Sequence, residues 1–287
     1  MKNKNFKLIK IKALILATLS LMLVLKAWAD TPNLDNIDQA DLDNITREIS
    51  ANFTHTTVAP AIALGNKIGL EAGVFGGATH SPKLDGLVKE MDSKVDASRI
   101  YHGGLEAMLT VPFGFTFEYT NLPVRRLGDI QVKSYSGALR WTLTHYFYGK
   151  TPIHFAIRGH FSKSNFSFKQ RIQNTSTNNL PVDSIIVFDD KVTGGNAIIS
   201  IHLLFFEPYY GVGIVRGRSA ASVNASTTAT IFDQNITQES TMKANSIVNG
   251  THQFAGVHLD FWFIHMAFEY SRIFGTDKVT GKIALAI

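Results

Sequence analysis

The sequence predicts an all-β fold: a closed, antiparallel, up-and-down transmembrane β-barrel of about 10 strands, with 12 as the alternative. A short helical or extended N-terminal segment precedes it. Three observations lead there. The first thirty residues read as an export signal, and no second long apolar run follows them. From Lys67 onward, apolar and polar residues alternate in ten segments. The connections between those segments are short and long by turns.

The signal is expected over 1–29. Lys2, Lys4, Lys7, Lys10 and Lys12 lead into an uncharged apolar run at 13–25, too short to span a bilayer. Lys26 and Ala27-Trp28-Ala29 follow, an A-x-A cleavage site before Asp30. An exported chain that then builds a barrel is expected in the outer membrane of a Gram-negative cell, embedded in outer-membrane lipid.

Residues 30–66 are expected to be a periplasmic segment and a candidate plug of the lumen. Leu34, Ile37, Leu42, Ile45 and Ile49 have the spacing of a short amphipathic helix. Residues 54–64 resemble a strand, but Pro60 would remove a ladder donor from its middle. That stretch is read as an extended lead-in, and the barrel proper as 67–287.

Each barrel segment has two faces. Ile68, Leu70 and Val74 alternate with Glu71, and Leu105 and Leu109 with Glu106. Phe115, Phe117 and Tyr119 alternate with Glu118; Tyr135, Leu139 and Trp141 with Arg140. Ile153, Phe155 and Ile157 alternate with His154 and Arg158, and Ile199 and Ile201 with Ser200 and His202. Residues 208–219 form a strand whose two faces are poorly separated. Phe261 and Leu259 alternate with His258 and Asp260, Phe268 and Tyr270 with Glu269, and Val279 and Ile283 with Lys282. In lipid every backbone donor and acceptor must be paired, so a sheet spans only when it closes. One face then meets acyl chains and the other a polar lumen.

Short turns are expected at Pro112-Phe113, 146–151, Glu207-Pro208 and near Ile264. Long polar connections are expected at 77–97, 123–129, 167–192 and 220–249. Outer-membrane barrels alternate short periplasmic turns with long external loops in this way. The chain ends on Ile287 at an apolar position, where barrels commonly place an aromatic residue for the barrel-assembly machinery.

Composition excludes several classes. The formal charge of +5 includes six lysines of 1–29, so 30–287 carries −1, and no basic patch for nucleic acid remains. The absence of cysteine removes disulfides and thiolate metal sites. No Gly-rich phosphate loop precedes a helix, and no cofactor is expected.

The segments VAPAIALGNKIGLEAGVFGG (58–77), GDIQVKSYSGALRWTL (128–143), PIHFAIRGHFSK (152–163), FEPYYGVGIVRG (206–217) and AGVHLDFWFIHMAFEYS (255–271) resemble an uncharacterised family of proteobacterial outer-membrane barrels. The proline-containing lead-in is loosely similar to the long-chain fatty-acid transporter family. The resemblance implies an integral outer-membrane barrel and supplies no catalytic motif.

A lumen charge network is expected from Glu71, Glu106, Glu118, Arg140, Arg158, Arg216, Asp260, Glu269 and Lys282, with Arg218 beside them, since buried charges must be paired or hydrated. An interfacial girdle is expected from Tyr119, Tyr135, Trp141, Tyr146, Tyr209, Trp262 and Tyr270. His258 and Asp260 share a face at i, i+2, but no third metal ligand is identifiable, so no metal site is assigned. No nucleophile, base and orienter converge, so the chain is not read as an enzyme; an outer-membrane enzyme is the minor alternative. The expected function is a channel or transporter for a small or apolar solute. The alternative is a non-conducting structural or surface-interaction barrel.

Overall fold

A computed structural model describes residues 39–65, 67–91, 97–127, 130–147, 151–173, 181–231 and 234–287. The signal expected over 1–29, and Leu34 and Ile37 of the lead-in, lie outside the described residues.

Ten strands run in chain order: β1 (Gly69–His80), β2 (Arg99–Val111), β3 (Phe115–Leu127), β4 (Ile130–Thr142), β5 (Ile153–Gln173), β6 (Pro181–Ile201), β7 (Phe206–Ile231), β8 (Gln234–Phe261), β9 (Ile264–Ile273) and β10 (Thr276–Ala286). Each lies beside its sequence neighbours, and β1 closes on β10 to complete the barrel. The seam is antiparallel, with Val74 between Ile283 of β10 and Leu105 of β2. Among the described residues two α-helices accompany the sheet, α1 (Gln39–Phe53) and α2 (Pro82–Met91). Residues 54–64 form no strand, as Pro60 required.

The turns explain several local sequences. Phe274 (φ 53°) and Gly275 (φ 86°) join β9 to β10 with positive φ at both central positions, the geometry that matches strand twist in a two-residue hairpin. Phe113 (φ 72°) and Gly114 (φ 79°) turn β2 into β3. The turn expected at Glu207-Pro208 lies instead at 202–205, and both residues belong to β7. The connections expected at 167–192 and 220–249 are largely strand. β5 to β8 are 21, 21, 26 and 28 residues long, where about ten suffice to cross a bilayer. Within these strands, 168–186 and 222–243 belong to a compact unit separate from the barrel body.

The barrel body buries its polar residues and exposes its apolar ones. Glu71, Arg140, Lys278 and Glu269 are at most 2% exposed, whereas Val74, Leu105, Phe117, Phe268 and Ile283 are more than half exposed. This inverts the order of a water-soluble protein. Among the described residues, apolar side chains gather inside in two clusters. Ala51 of α1 packs with Val192, Val215, Val248, Ile273 and Phe274. Ala61 packs with Ala156, Ile198, Tyr209 and Phe254.

Candidate functional site

The interior of the barrel holds residues of the chain's own N-terminal segment. The buried positions of α1 include Leu42, Ile45, Ile49 and Phe53, and 54–61 are buried throughout. The contacts define its course. Asp43 accepts from Ser246 Oγ at 2.7 Å. Glu48 accepts the amides of Lys83 and Leu84 at 2.9 and 2.8 Å, covering two of the N–H groups that the first turn of α2 leaves without helical partners. Burial raises the Glu48 carboxyl above its ordinary range against the lowering effect of those amides. Ser50 Oγ donates to Asp190 at 2.7 Å, and a Cβ at Gly217 would stand 2.5 Å from that same Oγ, so glycine is what lets α1 approach β7.

The last turn of α1 leaves carbonyls without partners. Lys278 of β10 meets them: its ammonium donates to Asn52 O and Thr54 O at 3.1 Å, and Ala51 O lies 3.4 Å away. A cation there also opposes the negative end of the helix dipole.

Below α1, Glu118 of β3 is the hub. Thr57 Oγ1 donates to its Oε2 at 2.7 Å, and His55 Nε2 lies 3.0 Å from that oxygen. Arg140 Nε stands 3.1 Å from Oε1 and Arg158 3.7 Å from Oε2. With Nε2 donating, a neutral His55 accepts the Ser136 hydroxyl at Nδ1, 2.7 Å away. Arg140 also donates to Pro60 O, and Thr142 Oγ1 to Ala61 O at 2.7 Å. Leu64 N donates to Thr110 Oγ1 at 3.1 Å, next to the β2–β3 turn. The segment thus runs the length of the lumen, from α2 to the short-turn end. Glu48 and Lys278 hold α1 at one end of this course, and Leu64 lies at the other.

At the short-turn end lies a cavity of about 220 Å³. Ile62, Leu64 and Met108 give it an apolar wall; Glu71, His258, Asp260 and His265 give it a polar one. Lys282 Nζ lies 2.5 Å from Glu71 Oε1 and 3.4 Å from Glu106. Tyr209 donates to Glu269 at 3.0 Å, as does Ser271 at 2.7 Å.

Of the charges read from sequence, Glu71, Glu106, Glu118, Arg140, Arg158, Glu269 and Lys282 are buried on the inner face, and Asp260 is half-exposed at the mouth. Arg216 does not join them. It points outward with Arg218, because the inner row of β7 is Gly211, Gly213, Val215, Gly217 and Ser219. Tyr209 is the second correction. It is 4% exposed and turned inward, its ring lying over Gly256, where a Cβ would meet the phenol at 2.4 Å. Tyr119, Tyr135, Trp141, Tyr146, Trp262 and Tyr270 are exposed, Trp262 to 92% at the tip of the β8–β9 turn. Sequence reasoning missed Lys278 and His265. Lys278 shares the parity of Thr280 and Lys282, and His265 that of Glu269. Extending each alternation by one step toward the turn finds both.

The chain matches a family of unknown function (DUF6588) over residues 36–276, and it belongs to that family. A search of curated proteins finds no match. Among solved structures, it is similar to the translocator domain of the autotransporter NalP from Neisseria meningitidis (8% identity, 78% of this chain and 89% of that one, TM-score 0.38). It is similar also to a FadL homologue of Pseudomonas aeruginosa (7%, 81% and 95%, 0.32) and to the outer membrane protease OmpT of Escherichia coli (8%, 77% and 96%, 0.33).

Proposed function

We propose that this protein is an integral outer-membrane barrel, closed at rest by its N-terminal segment, that passes a small or apolar solute when that segment shifts. One observation carries the reading: the lumen is crossed by residues 39–64, held largely by polar bonds to the wall. Polar bonds can be exchanged for water as the segment shifts, at a modest net cost for each neutral bond, and the barrel's own ladder of backbone bonds does not depend on them. The exposed apolar band supports the membrane setting, and the cavity of about 220 Å³ supports a small solute. Outward on β4, the aromatics Tyr135 and Trp141 stand on either side of Gly137 and Leu139. Six residues at roughly 3.3 Å each, on a strand tilted by about 40°, rise about 15 Å of a band about 25 Å tall.

Conductance in planar bilayers, with solute uptake by liposomes, tests the proposal. The intact protein is expected to conduct little, and a chain lacking 39–64 to conduct steadily. If the deleted chain shows heat-modifiable gel migration yet passes neither ions nor solute, the conduit reading falls. A second reading, a surface-interaction barrel, is favoured by β7 and β8, which exceed the spanning length more than twofold.

A further inference from the structure

The polar wall of the cavity gathers a ligand set from strands far apart in sequence. His258 and Asp260 lie on one face of β8, and Asp260 pairs with His265 of β9. The next strand, β10, presents Ala284 opposite His265 and Ala286 opposite Glu71 of β1. Two alanines leave room above β10, and across it His265 Nδ1 reaches Glu71 Oε2 at 2.5 Å. The rings of His258 and His265 meet edge to face, centroids 4.8 Å apart. One ligand atom from each of Glu71, His258 and His265 falls within 4.8 Å of the others.

We propose that Glu71, His258 and His265 bind a divalent transition-metal ion of the zinc type at the mouth of the barrel. Two imidazoles and a carboxylate are a three-ligand zinc set that leaves the fourth position to water. Magnesium and calcium would call for more oxygen donors. The cavity touches all three residues and supplies both the water and an entry path. The ion takes the place of the proton between His265 Nδ1 and Glu71 Oε2, and those atoms open by under about 1 Å to the spacing of two tetrahedral ligands. The imidazole proton moves to Nε2, which faces Asp260 Oδ1 at 3.4 Å, so the ring stays neutral and Asp260 orients it. Lys282 keeps the other oxygen of Glu71. Around the cavity Glu71, Asp260, Glu106 and Glu207 face two cations, Lys282 and Arg140, and a divalent ion offsets the surplus of acid groups. The ion would tie β8 and β9 to β1 across the barrel's closing seam.

The test uses the full processed chain in detergent, stripped with EDTA and titrated calorimetrically with Zn²⁺ alone. One ion per chain is expected, with Kd near or below about 1 µM. His258→Ala and His265→Ala should each weaken it by about tenfold or more, and His80→Ala, exposed at the far end of β1, should not. Zinc-edge X-ray absorption on the unaltered protein gives a readout that needs no variant; two-imidazole scattering is expected. Absence of saturable binding, binding that survives both histidine substitutions in folded protein, or a spectrum without imidazole scattering overturns the proposal.

Discussion

Glu118 shares its carboxylate among the wall and the chain that fills it: Arg140 and Arg158 on one side, His55 and Thr57 on the other. Removing one partner of a buried ion pair leaves the other charged and unsolvated, which costs about 3–5 kcal/mol. Glu118→Gln should therefore lower the urea midpoint at which the heat-modifiable band converts. Glu106→Gln should lower it less, since Lys282 retains Glu71. The inward position of both acids was legible in the two-residue alternation. The same rule failed at Arg216 and Tyr209 for one physical reason. Where the lumen is filled closely, the inner face of β7 carries glycine, alanine and valine, so neither face looks polar and the charged face is mistaken for the inner one. His265 was hidden differently, in a run of apolar and aromatic residues beside a turn, and its partner Glu71 lies 194 positions away.

Among the elements, α1 depends on the barrel for its end. Its carbonyls at 51 and 52, and that of Thr54 just beyond it, face Lys278, which is 2% exposed. Lys278→Met keeps the stem and removes the donor; the helix end should lose about 1–2 kcal/mol. Hydrogen exchange over 45–56 should quicken, and bilayer conductance should rise above that of the intact protein. If exchange quickens and conductance does not change, α1 is not the gate. The helix itself was legible from Leu42, Ile45 and Ile49, but its place in the lumen was not, because side-chain spacing carries no information on what covers the apolar face. The extended strands were missed for a related reason. Over the described residues of 167–192 and 220–249 the backbone is strand while the sequence has no period of two, so polarity gave no sign of it. Excising 170–184 and 224–241 with short turns in their place should leave folding and heat-modifiable migration intact, since these stretches belong to their own compact unit.

At the scale of the whole molecule, solvent preference and burial have exchanged places, and this sets the sign of mutational effects. In a water-soluble barrel, an outward Leu139→Arg would be nearly free. Here Leu139 is 45% exposed beside Phe117 of β3, two residues inward along β4 from the exposed Trp141, on the apolar outer face. An arginine there must either drag its charge into hydrocarbon or bend toward the headgroups, at a cost that rises from about 1 kcal/mol near the interface to about 2–4 kcal/mol at the midplane. Arg216→Leu, outward on β7 beyond Ile214, removes a charge placed outside the aliphatic stretch and should change stability little. The pair separates the membrane reading from its rival. Folding into bilayers of defined thickness should be impaired by Leu139→Arg and not by Arg216→Leu, and thinner bilayers should relieve the first defect by bringing headgroups nearer. A processed chain that stays monodisperse without detergent, or a Leu139→Arg variant that folds as well as the original in every bilayer, would mean that these side chains are covered by protein. The assignment of the outer face, and the closed conduit built on it, would then be withdrawn together.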